Sequence, residues 1–138
     1  MPNIGDWYIV SLKKAHLEWG SHRHKFNRPG IIYGEGYIQI PADVAYDFNI
    51  YNSNNPYGAN VYYDCTSYDG YYTGTLLAQG NQGNPFYAKQ FSEYDDLKAV
   101  GYWYYQVNAV IGDYIKVVFT SPSDVIIEHS TTKNGFHI

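Results

Sequence analysis

Large apolar residues alternate with polar ones from Trp7 to Leu12. A period of two puts every second side chain on one face of a strand. Strand-like patterning returns at Tyr37–Ile40, Ala59–Ser67, Tyr71–Leu77, Phe86–Phe91, Tyr114–Thr120 and Asp124–Glu128, so the sequence predicts seven strands. Asp69–Gly70 separates the third run from the fourth, and Asp-Gly is a strong hairpin signal. The pattern changes in two places. After Ile40, Pro41 has no N–H to offer a ladder but fits the first turn of a helix. Asp43 then meets the positive end of the helix dipole, and Val44, Ala45 and Phe48 form one apolar stripe, which predicts a helix over Pro41–Phe48. A second helix is predicted over Asp95–Tyr105, with its acids in the first turn and Leu97, Val100, Gly101 and Tyr104 on one face. Mostly antiparallel strands at this spacing point to a closed or half-open barrel.

The length of 138 residues suits one domain, 1–138, and His129–Ile138, which shows no pattern, is expected to be a flexible tail. The single Cys65 cannot form an internal disulfide and no apolar run approaches the ~20 residues of a membrane span, so a cytoplasmic protein with no membrane partner is expected. The net charge of −4 argues against nucleic acid, but its distribution argues the other way. Residues 1–38 carry five lysines and arginines against three carboxylates, whereas the rest carries four against ten. One end of the molecule is therefore suited to phosphate. Seventeen tyrosines and three tryptophans fit half-exposed sheet positions and binding faces alike.

Catalytic signatures are weak. His16, His22 and His24 lack a partner cysteine or carboxylate at ligand spacing, which favours solvated histidines over a metal site. Asp96–Leu97–Lys98 matches part of a nuclease metal motif, but a triplet that opens a helix does not aim both side chains at one ion. Asp113 with Lys116 matches it no better, and Cys65 reads as a buried structural residue. No catalytic residue, metal site or cofactor is expected. Two irregular loops stand apart. One carries Ser21, His22, Arg23, His24, Lys25, Asn27 and Arg28; the other offers Gln79, Asn81, Gln82, Asn84 and, just beyond, Lys89. Arginine reads guanine bidentately, and asparagine or glutamine reads adenine, so both loops hold the chemistry of base recognition as well as that of ordinary solvated loops.

The order strand, basic loop, strand, helix, hairpin, amide-rich loop, strand, helix, two strands resembles the DNA-binding pseudobarrel of plant auxin-response factors. GEGYIQIPADVAYDFNIYNSN, LLAQGNQGNPFYAKQF and GDYIKVVFTSPSDVII are more specifically similar to the C-terminal recognition domain of phospholipase D-like restriction endonucleases. The resemblance covers about residues 7–128. It implies a mainly β (α+β), seven-stranded, mostly antiparallel open pseudobarrel with two short helices. It further implies sequence-specific recognition of double-stranded DNA in the major groove by two arms, which map to Ser21–Arg28 and Gln79–Lys89. Such a domain does no chemistry itself and belongs to, or partners, a nuclease domain or subunit of a restriction-modification enzyme. Two alternatives stay open: a carbohydrate- or small-ligand-binding β-barrel, and a small metal-dependent nuclease using Asp96 and Lys98.

Overall fold

The computed structural model describes residues 1–17, 35–54, 58–80 and 86–138. Among the described residues seven strands form one mixed sheet: β1 (Trp7–Ser11), β2 (Ile38–Gln39), β3 (Tyr62–Ser67), β4 (Thr73–Gln79), β5 (Gln90–Glu93), β6 (Tyr114–Ser121) and β7 (Asp124–Ser130). The order across the sheet is β1-β6-β7-β3-β4-β5-β2, with β3 and β7 parallel and the other neighbours antiparallel. The sheet curls until its edge strands nearly meet, so the mainly β, barrel-like fold expected from the pattern is present. The inner face carries Tyr8, Val10, Ile38, Tyr63, Leu76, Phe91, Ile115, Val117, Phe119 and Ile127, all buried.

Among the described residues three short helices accompany the sheet, one more than the pattern predicts: α1 (Lys14–Leu17), α2 (Ala42–Phe48) and α3 (Ala99–Gln106). Helix α1 lies where the alternation fails. His16 there is buried, and its Nδ1 accepts the backbone N–H of Lys13 at 3.0 Å, a tertiary setting that no period announces. Helix α2 follows Pro41 as expected and ends at Asn49, whose φ of 56° is the left-handed turn that asparagine tolerates. Its Ala45 is fully buried and Phe48 meets Phe119 edge-on, so this helix covers one part of the core. Helix α3 starts four residues later than predicted. The Asp96 carboxylate accepts the Lys98 N–H at 2.9 Å, and this local bond holds the acids in a turn ahead of the helix. Strand β5 is also shifted from its expected span. At 86–88 the chain instead lies against 50–52, through the Tyr51–Tyr87 bridge and a 3.0 Å bond from Ala88 N–H to Ile50 O.

The chain end is tied down rather than a loose tail. Strand β7 runs on to Ser130, and buried Glu128 then accepts the backbone N–H groups of His137 at 2.7 Å and Ile138 at 3.1 Å, with its other oxygen 2.5 Å from His137 Nδ1. The His137 ring stacks on Tyr68 at 4.8 Å between centroids. A buried carboxylate needs such donors, and residues distant in pattern supply them. The predicted hairpin turn has a long-range anchor too. Asp69 accepts Ser67 Oγ at 2.6 Å, Tyr71 N–H at 2.8 Å and, from α3, Trp103 Nε1–H at 3.1 Å.

Edge strands β1 and β2 have no ladder between them, and side chains close the seam. Tyr8 of β1 donates its hydroxyl to Gln39 O at 3.0 Å, and Tyr104 of α3 donates to Tyr37 O at 2.8 Å. Gly36 lies so close to α3 that a Cβ there would stand 2.9 Å from Gly101 Cα. Within the barrel the Tyr63 hydroxyl, by contrast, is buried and has no hydrogen-bond partner among the described residues. The same chemical change should therefore have opposite results at these tyrosines. Tyr8→Phe is expected to lose about 0.5–1.5 kcal/mol in urea unfolding, while Tyr63→Phe should be neutral or stabilising. Equal losses at both positions would contradict this account of the seam.

Candidate functional site

Two of the twelve residues singled out in the loops, Gln79 and Lys89, are described, and the structure brings them together. Gln79 ends β4 and Lys89 precedes β5; the Lys89 N–H donates to Gln79 O at 2.8 Å, and Lys89 O accepts Ile40 N–H at 2.8 Å. Ser21, His22, Arg23, His24, Lys25, Asn27 and Arg28, with Asn81, Gln82 and Asn84, lie outside the described residues.

The register adds two residues that the sequence reading missed. Gln79 pairs with Gln90, and Gln90 pairs with Gln39, so three glutamines form one row across β4, β5 and β2. Side chains alternate across a sheet, and the neighbouring set Ala78, Phe91 and Ile38 faces the core. The glutamine row therefore faces outward. All three residues are half-buried, and Gln79 Nε2 donates to the buried hydroxyl of Ser92 on the same face. The next outward positions are Leu77, opposite both Ser92 and Tyr62. Tyr62 and Tyr94, both exposed, meet edge-on at 5.2 Å. The outer face thus offers side-chain amides with donors and acceptors, bordered by two aromatic rings.

This row lies between Glu35 and Gly80, which flank the 18–34 and 81–85 connections in the chain. The 81–85 connection leaves from Gly80, next to Gln79, where φ is +100° and a Cβ would crowd Lys89 Cβ at 3.1 Å. Glycine meets both demands at once. The 18–34 connection returns at Glu35, four residues before Gln39, a span of no more than about 14 Å even when fully extended. At its near end stand Lys13 and Lys14, both exposed at the start of α1. Asn52, fully buried, joins the ends of the 81–85 connection: its N–H donates to Phe86 O at 2.9 Å and its Nδ2 to Gly80 O.

The residues of the alternative nuclease reading have ordinary local partners. Asp96 and Lys98 are exposed in the turn before α3, rather than in its first turn, and line a shallow cavity of about 370 Å³ with Tyr71, Glu93 and Tyr102. Burial, then the charges of Asp95 and Asp96, raise the Glu93 carboxyl above its usual range. Asp113 accepts Val110 N–H at 3.0 Å and lies 2.8 Å from His129 Nε2, while Lys116 sits 4.6 Å from the centre of the Trp7 ring. Cys65 is buried, which pushes its thiol well up from its ordinary value. Among the described residues, no three His, Cys, Asp or Glu side chains gather as a metal site, and no helix is long and apolar enough to cross a membrane. The chain matches no protein-family model and no curated protein.

His16 is buried rather than solvated. Burial, then the charge of Lys13, lowers its pKa to about 4. The unfolded chain takes up a proton near pH 6.5, which the folded imidazole refuses until about pH 4. Stability from this group is therefore fully present above pH 6.5 and lost as pH falls towards 4. His16→Asn keeps an acceptor for the Lys13 N–H and removes the titration. Between pH 7 and pH 5 the urea midpoint should fall further for the wild type than for His16→Asn. Parallel pH profiles would show that His16 does not carry the effect.

Proposed function

We infer that the chain recognises double-stranded DNA, reading base edges with side-chain amides and holding phosphates with the basic residues of its first third. The observation that carries this reading is the outward row Gln39–Gln90–Gln79, set between the return of the first and the departure of the second of the two connections richest in base-reading chemistry. Glutamine presents a donor and an acceptor together, which is the pair adenine offers in the major groove. Phosphate contacts fix position and carry no sequence information, whereas base-edge contacts select it. Lys13, Lys14, Lys25 and Arg28 supply the first kind of contact; the glutamine row with Asn81, Gln82 and Asn84 supplies the second. Arg23 is assigned to a base, because its planar fork suits guanine where lysine is a point charge. The resemblance to recognition domains of restriction endonucleases supports two arms on DNA and implies that the cutting chemistry belongs to a separate nuclease domain or subunit.

The exposed Tyr62 and Tyr94 rings beside the amides are the feature that a carbohydrate-binding barrel would share. Salt separates the two. With about four phosphates engaged, the logarithm of affinity should fall against log salt with a slope near −3.6. Affinities should be measured for a duplex selected from a randomised pool and for a scrambled duplex. Lys25→Ala should weaken both and flatten the slope by about one unit. Gln90→Ala or Gln82→Ala should lose about 1–3 kcal/mol on the selected duplex alone. Failure to enrich any duplex, or a slope near zero, would remove the DNA reading in favour of a sugar or other small ligand.

A further inference from the structure

Ser92 is a polar residue with no exposed surface, although it belongs to the outer side of the sheet. Its neighbour Phe91 faces the core, and the period of two then sends Ser92 outward. On β4 it stands opposite Leu77, and Gln79 is paired with Gln90, two residues before it. Gln79 and Ser92 are therefore diagonal neighbours, a separation that a long side chain can cross. Gln79 does cross it, donating Nε2–H to Ser92 Oγ. Among the described residues the amides of Gln39 and Gln90 make no such bond, so Gln79 is the fixed member of the row. A glutamine amide has two N–H donors and one acceptor oxygen. The bond to Ser92 occupies one N–H and leaves one donor beside one acceptor. Adenine offers that complementary pair in the major groove, whereas guanine offers two acceptors and needs two donors.

We propose that Ser92 makes Gln79 a reader of adenine: by holding one amide N–H, it leaves the donor–acceptor pair that adenine matches and withholds the second donor that guanine requires. This rests on the DNA reading given above. Ser92 touches no base in this scheme and is a positioning residue that acts through Gln79. An unrestrained glutamine could turn both N–H groups towards the two guanine acceptors, as a single lysine nitrogen does.

The test uses the full chain and duplexes selected by the wild type from a randomised pool. Gln79→Ala identifies the base pair that Gln79 faces, by the preference it loses. At that pair the wild type should favour adenine over guanine by about 5- to 150-fold, the range of one bidentate contact. Ser92→Ala should bind adenine and guanine there nearly equally and still favour both over the pyrimidines. Its preferences at other pairs and its salt slope should match the wild type. An adenine preference undiminished in Ser92→Ala overturns the proposal. So does a loss that spreads to other pairs or favours no purine, which marks Ser92 as a general packing residue. Should Ser92→Ala not fold, Ser92→Cys replaces it with the same expected and contrary results, because sulfur accepts only weakly. In the wild type itself, one Gln79 side-chain N–H should exchange with solvent more slowly than the other; equal exchange overturns the proposal. If Gln79→Ala keeps every preference, the proposal falls while the DNA reading stands. A wild type that enriches no duplex removes the DNA reading itself, which is a separate result.

Discussion

A sheet of seven strands whose edges are β1 and a two-residue β2 cannot close by backbone pairing alone. The strand at one edge is too short to present a full row of N–H and C=O groups, and unpaired edges buried against other elements are costly. The seam is instead closed by tyrosine hydroxyls aimed at β2 and its lead-in, Tyr8 at Gln39 O and Tyr104 at Tyr37 O. It is sealed by the close approach of Gly36 to Gly101 in α3, where any side chain would force the two backbones apart. Burial raises the Tyr8 hydroxyl well above its ordinary value, so it remains a proton donor throughout the working range of pH.

The placement of the outer face follows from that closure. Because the seam holds β2 in register with β5, Gln39 lies in line with Gln90 and Gln79 rather than one residue out of step, which would turn it into the core. The same short β2 keeps the return of the first connection near the departure of the second. Asn52 then holds Gly80, the last described residue before 81–85, through its side-chain amide. Core and seam thus cooperate to present one polar face rich in side-chain amides.

Much of this was legible in the chain. The alternation at Trp7–Ser11, Tyr62–Ser67 and Tyr114–Ser121, the Asp69–Gly70 turn and the Pro41 start of α2 depend on local preferences, and they appear in the structure within a residue or two, apart from the late start of the third run at Tyr62. What was hidden depends on distant partners. The late start of α3 needs a side chain-to-backbone bond at Asp96, and α1 needs a buried His16. The ordering of 129–138 needs Glu128 to gather donors from residues with no pattern of their own. The glutamine row was half-visible: Gln39 lies between the core residues Ile38 and Ile40, which marks it as outward, but nothing local shows that Gln90 and Gln79 share its row. Asn52 sits in NSNNPYG, a stretch that composition marks only as a turn; its burial and its bonds to Gly80 and Phe86 are tertiary.

The central claim, that the β2–β5–β4 outer face meets the DNA, is tested most directly by nuclear magnetic resonance of the side-chain amides during titration with a selected duplex. The account predicts that the Gln39, Gln79 and Gln90 side-chain amide signals shift on binding, while the backbone amide signals of Thr66, Thr73 and Ile126, recorded in the same titration and lying beside the outer cavity at β3, β4 and β7, stay in place. Shifts centred on Thr66, Thr73 and Ile126, with the three glutamines unmoved, would contradict it.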